Sequence, residues 1–328
     1  MAEKINQSSV HREILKKAWE ITWHNKWLWF LGLFAGFWET TAVYPLIKRS
    51  FDYLSQPAEA ATSLWSDFQF FSLPSLSFLS SSLLSFLLFV LMVIVVALIV
   101  WLATASRGGL LFALNALIEG KKIKIRTALQ EGTEKFWPLF WISLIGKIIT
   151  DSLILTLGLL IIKSGLNFSS LKWWEEILYL LGFVVCALLF ILVSFLVILA
   201  LIYIMVQGAG IFKSIGLACR LFFKNWLTIL ELAFILYLIG VGLSLGIIIL
   251  GLVFAIPIIL LWLISIFLNL SSVFWVIFVI ILIVLAVILL LLGVAFSVFQ
   301  SSAWVLLFKR LTEEGALAKL IRLFYRTR

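Results

Sequence analysis

Four charged side chains fall inside stretches that are otherwise apolar, and they are the residues whose types and spacing could do chemistry: Glu39, Lys147, Asp151 and Glu231. A charge held within a bilayer is expensive, about 2.5–3.5 kcal/mol even on insertion scales, so each one is a functional candidate by default. Lys147 and Asp151 stand four residues apart and follow Pro138 in the third apolar stretch, roughly 14 to 20 Å in at 1.5 Å per residue. That spacing lets them neutralise each other on one helix face. Two readings follow: an ion pair that lowers the cost of insertion and orients its helix in a bundle, or a polar cavity or proton site. Glu39 has no charged neighbour in the first stretch and is placed to answer Lys147 across a bundle. Glu231 lies about 7 to 8 Å past Trp226, within reach of water or Lys224.

Conventional catalytic patterns are missing. There is no HExxH pattern, and His11 and His24 both fall in a basic amino-terminal helix that meets lipid headgroups first, which leaves no plausible Ser-His-Asp set. Arg107-Gly108-Gly109 lacks the Walker spacing and reads as a helix end. Cys186 and Cys219 are far apart, without metal-ligand spacing, and are expected to be unpaired structural thiols. The expectation is no catalytic residue, no metal site, no cofactor and no enzyme activity.

The elements that must position these charges are set by composition. Hydrophobic residues make up 64% of the chain and charged ones 12%, with a mean hydropathy of +1.19, whereas a soluble domain is about half apolar and about a quarter charged. Residues 273 to 308 carry no charge at all, which requires lipid around them. Strands of a membrane barrel alternate apolar and polar residues, and runs such as LLFVLMVIVVALIVWLA (87 to 103) do not. The fold class is therefore all-α, a polytopic transmembrane helix bundle. Six spans are predicted, at roughly 27 to 46, 82 to 104, 138 to 162, 177 to 205, 227 to 253 and 273 to 299. The shorter stretch 255 to 268 begins beside Pro257 and is read as re-entrant or interfacial. Residues 1 to 26 are charged throughout and lack an A-x-A-like cleavage site, so the first span reads as a retained anchor. Gly32 with Gly36, and Gly242 with Gly246, form small-xxx-small pairs expected to pack helices closely.

Charge gives the orientation. Segments 1 to 26, 105 to 137, 206 to 226 and 309 to 328 hold twenty of the twenty-five Lys and Arg residues, against four in the opposite loops: Lys48, Arg49, Lys163 and Lys172. The positive-inside rule then puts both termini in the cytoplasm, with the chain in the cell membrane. The net charge of +9 is explained by attraction to anionic headgroups, about 1 kcal/mol per basic residue near the surface. Nucleic acid is not expected, because no zinc-finger spacing, RNP-like motif or basic-aromatic sheet pattern is present.

Three segments that precede spans align on a tryptophan: KAWEITWHNKW ending at Trp27, TALQEGTEKFW ending at Trp137, and GLACRLFFKNW ending at Trp226. In the first, Trp19, Trp23 and Trp27 recur every four residues while Lys16, Lys17, Glu20 and His24 take other faces. In the third, Lys213, Arg220 and Lys224 share a face, with Ile211, Ile215, Ala218 and Phe222 around the other. Helices of this kind lie in the headgroup plane. The tail repeats the pattern with a stripe of Leu317, Leu320, Ile321 and Phe324 against Lys319, Arg322 and Arg326. The reading is a single membrane domain over 1–328 built of three tandem parallel units, about 1–110, 111–210 and 211–310, each an interfacial amphipathic helix followed by a transmembrane hairpin. A last amphipathic helix covers 311–328. The outer loop 47 to 81, with Trp65, Phe68, Phe70 and Phe71, is expected to fold back on outer headgroups.

The stretches HNKWLWFLGLFAG, RGGLLFALNALIEGKKIKIRTALQEG, SIGLACRLFFKNWLTIL and SVFQSSAWVLLFKRL resemble a family of bacterial six-helix membrane proteins of unknown function. That family is similar to the membrane domain attached to some glycerophosphodiester phosphodiesterases. The resemblance runs nearly end to end and implies fold and location. It implies no hydrolysis, since the acidic and histidine ligands of the phosphodiesterase barrel are missing here.

Three classes of function remain. First is a non-catalytic membrane module that binds lipid, through anionic headgroups on the cytoplasmic side, or a partner protein or second copy. Second is a transporter or lipid-translocating protein with a polar site in the bundle. Third is an intramembrane enzyme.

Overall fold

A computed structural model describes residues 10–39, 83–166, 173–267 and 271–313, and all of the regular structure there is α-helical. The elements are α1 (Val10–His24), α2 (Leu28–Glu39), α3 (Leu83–Ile118), α4 (Ile125–Glu134), α5 (Phe136–Leu166), α6 (Trp173–Gln207), α7 (Ile211–Phe267) and α8 (Ser271–Glu313). Five of them, α3 and α5 to α8, are long and apolar enough to cross a bilayer, and the chain is a multi-pass helical membrane protein. The first predicted span is described only to Glu39. The outer loop 47–81 and the tail helix expected at 311–328 lie outside the described residues, apart from 311–313.

The spanning helices divide along their length. In α3, Phe86 to Ile99 are exposed almost all round, and the same holds for Ile177 to Leu189 in α6 and Trp275 to Leu291 in α8. Helices apolar on every face need lipid as their solvent. Their far ends are packed instead: Ala103 to Ala116, Leu199 to Met205, and Val298 to Leu311 hold most of the buried side chains. This is why α3 and α8 run past their predicted limits at 104 and 299, because residues beyond the lipid-facing stretch join a protein core.

The segment 255–268 is not set apart from the preceding span by a break at Pro257. It is helix to Phe267, continuous with the span before it, with Pro257 inside the helix. Proline removes one backbone bond and crowds the carbonyl four residues back, a cost of about 3 kcal/mol that does not oblige a helix to end. The second arm of α7, from Trp226, is therefore about 63 Å long, twice the roughly 30 Å of a hydrocarbon core.

Each of the three aligned segments ends in a helix break just before its tryptophan. α1 stops ahead of Asn25–Trp27, a single turn residue at Lys135 separates α4 from α5, and α7 is kinked at Asn225 (φ −130°, ψ 29°). At two breaks an asparagine amide caps the carbonyl four residues back: Asn25 Nδ2 donates to Ile21 O at 3.1 Å and Asn225 Nδ2 to Leu221 O at 3.3 Å. The Trp29 indole N–H also donates to Thr22 O at 3.0 Å, satisfying another terminal carbonyl of α1.

Two compact units form. One comprises Met1–Leu33, Leu110–Ala128 and Arg220–Arg328; the other comprises Phe34–Gly109 and Leu129–Cys219. In the first, α1 packs on α8 with its Ile14, Ala18 and Ile21 buried, and Gly32 lets α2 meet Val298, where an added Cβ would lie 2.6 Å from that side chain. The end of α3 is closed by Gly120 at φ +79°, with Lys121 N–H bonding Ala116 O and Gly120 N–H bonding Leu117 O, a Schellman arrangement that glycine accommodates without strain. In the second unit α5 and α6 pack along their length. Gly132 of α4 lies so close to Ala105 O and Gly109 N of α3 that a Cβ there would collide with backbone. Gly208 (φ +65°) ends α6, and Lys135 Nζ donates to Ile204 O and Met205 O at 3.3 and 3.4 Å, a cation on a helix C-terminus.

Candidate functional site

α1 carries the richest set of polar and aromatic side chains in the first unit. Its buried face is Ile14, Ala18, Ile21 and Thr22, at helical spacing, so the tryptophans at 19 and 23 are turned outward, at 58% and 44% exposure. They are nonetheless ordered by one another: Trp19 and Trp23 centroids lie 5.4 Å apart, Trp23 and Trp29 5.4 Å, and Trp19 meets Phe299 of α8 edge-on at 6.1 Å. An outward indole shelf beside Lys16 and Lys17 suits the boundary between acyl chains and headgroups.

At the start of α1, His11 Nε2 lies 2.8 Å from Glu231 Oε2, with side-chain exposures of 6% and 16%. Glu231 sits just past the kink of α7, and the kink brings it to the amino-terminal helix 220 positions away. Beyond the water or Lys224 that sequence places near Glu231, the two side chains form a partly buried link that sequence spacing cannot reveal. His11 Nδ1 is buried without a hydrogen-bond partner among the described residues.

His11 also lines an open groove of about 520 Å³, with Arg12, Leu15, Lys16 and Trp19 of α1, Ile235 of α7 and Phe299 of α8. The floor is apolar and aromatic, and the rim carries two cations one helical turn apart. A second groove of about 370 Å³ is lined by Glu13, Ile14, Lys17, Ile118, Leu306, Lys309 and Arg310. There the charges answer each other: Arg310 to Glu13 at 2.8 Å, Lys309 to Glu119 at 3.4 Å, and Lys121 to Glu119 at 2.7 Å. The hydrogen bond from Lys121 holds the Glu119 carboxyl below its usual range; burial opposes it, and the charge and hydrogen bond of Lys309 add to the lowering.

In the second unit Lys147 and Asp151 stand 3.8 Å apart on one face of α5, both about one-third exposed. Asp151 Oδ1 is buried without a hydrogen-bond partner among the described residues. Glu39 closes α2, and its side chain lies outside those described. Of the glycines expected at helix contacts, Gly32 is tightly packed, whereas Gly36, Gly242 and Gly246 have nothing within 4 Å of an added Cβ. The crowded positions are Gly108, Gly132 and Gly146, which no short-spaced glycine pair would have picked out. Cys186 and Cys219 are free. Among the described residues, no three His, Cys, Asp or Glu side chains are grouped as a metal site would need. No family model, curated protein or solved structure matches this chain.

Proposed function

We propose that this chain is a non-catalytic, six-span module of the cell membrane whose interfacial helices, on the cytoplasmic side with both termini, bind the headgroups of anionic lipids. Three tandem units, each an amphipathic helix broken just before a tryptophan and followed by a hairpin, make up the module. The breaks at Asn25–Trp27, Lys135 and Asn225 support that repeat.

The observation that carries the reading is the division of α1: its aliphatic face is buried on α8, which leaves Trp19, Trp23, Lys16 and Lys17 outward, as a headgroup-binding helix needs. Full-length protein taken from mixed bilayers of phosphatidylcholine and phosphatidylglycerol should retain phosphatidylglycerol in excess of its bulk share, measured by mass spectrometry of the bound lipid. Retention in proportion to bulk composition contradicts the reading.

One observation favours the transporter alternative: the unsatisfied Oδ1 of Asp151 beside Lys147, near the middle of a span, is what a polar cavity would use. Solute or proton flux in proteoliposomes that Asp151→Asn abolishes is the result that would put this reading first.

A further inference from the structure

Resting on the lipid-binding reading, we infer that the groove lined by His11, Arg12, Lys16, Trp19, Ile235 and Phe299 is a discrete site for one anionic glycerophospholipid, its phosphate on α1 and its acyl chains on the apolar floor.

Three features of the groove converge on that ligand. Arg12 and Lys16 are exposed and stand at i and i+4, so their cations flank the same stretch of rim. Leu15, Trp19, Ile235 and Phe299 supply a floor that matches hydrocarbon, and the volume of about 520 Å³ falls within the roughly 300–1,000 Å³ typical of small-molecule sites. His11 supplies the third. More than nine-tenths buried, it lines the groove and has Nε2 committed to Glu231 while Nδ1 lacks a partner among the described residues. That link at 2.8 Å anchors the start of α1 beside α7, and so holds Arg12 and Lys16 in place along the rim. A soluble anion has no use for the aromatic floor, and a neutral lipid has none for the cations. The neighbouring groove is the weaker candidate, because its Lys309 and Arg310 already face Glu119 and Glu13.

The test is a titration of phosphatidylglycerol into full-length protein held in phosphatidylcholine nanodiscs, with bound lipid counted by native mass spectrometry. Saturation at one phosphatidylglycerol per chain is expected. Arg12→Gln with Lys16→Gln should weaken it about thirtyfold, whereas the charge-matched pair Lys122→Gln with Lys124→Gln, exposed between α3 and α4, should change it by no more than about threefold. Ile235→Trp fills the floor without altering charge and should also weaken binding, which keeps the site testable if the double variant fails to fold. Excess glycerol 1-phosphate should not displace the lipid. If both charge pairs weaken binding equally while phosphatidylglycerol is still preferred, the groove is overturned and the general headgroup reading survives. If phosphatidylglycerol is not preferred at all, both fall. Displacement by glycerol 1-phosphate overturns the lipid assignment in favour of a soluble phosphate ester.

Discussion

At the scale of single residues, the link between His11 and Glu231 does the most to fix the amino-terminal helix. The two side chains meet at 2.8 Å, both largely removed from solvent, and a hydrogen bond with one charged partner is worth about 1.5–3 kcal/mol. His11→Ala and Glu231→Ala should each lower unfolding stability by about 2 kcal/mol, and the double variant by little more than the worse single, as read in a denaturation cycle. Fully additive losses would mean that the residues do not interact. Glu231 stands out in the sequence because a lone carboxylate in an apolar run is conspicuous. His11 does not, since nothing local ties it to a residue 220 positions away. Lys147 and Asp151 are the opposite case: four-residue spacing on a continuous helix is enough to bring them to 3.8 Å.

At the scale of elements, the apolar runs are legible because a bilayer demands length and hydrophobicity, and five helices have both. Helix contacts are less legible. Small-xxx-small spacing depends only on one helix, whereas crowding depends on which backbone crosses it, so Gly132 against Ala105 and Gly109 escapes a motif search while the open Gly246 satisfies one. Gly132→Val should cost about 3 kcal/mol of stability or abolish folded yield, because its Cβ meets backbone that cannot step aside. Gly246→Ala should be neutral or stabilising by up to about 1 kcal/mol, since alanine favours the helix and the space is open. Equal effects in a thermal unfolding assay would contradict this assignment. Pro257 misleads for a related reason. Its missing N–H makes a helix end plausible, yet the surrounding apolar residues have no better alternative in lipid than to stay helical, and the helix continues to Phe267.

At the scale of the whole molecule, the proposed module depends on one face of the membrane receiving every basic connection. The amphipathic lead-in helices, the broken turns before Trp27, Trp137 and Trp226, and the clusters around Lys121 and Lys309 all belong to that face in the proposal. Charge distribution is what the proposed orientation rests on, because Lys and Arg are the residues that resist translocation. What such an orientation serves is not readable in that way, since amphipathic helices carry patterns and not catalytic motifs. The most direct measurement is labelling of single cysteines at the exposed positions Lys26, Lys122 and Gln207, in a chain with Cys186 and Cys219 replaced by alanine, using a membrane-impermeant thiol reagent on vesicles of each orientation. All three positions should react in inverted vesicles and be protected in right-side-out ones. Any one of them reacting from the opposite side would contradict the shared basic face on which the lipid-binding account rests.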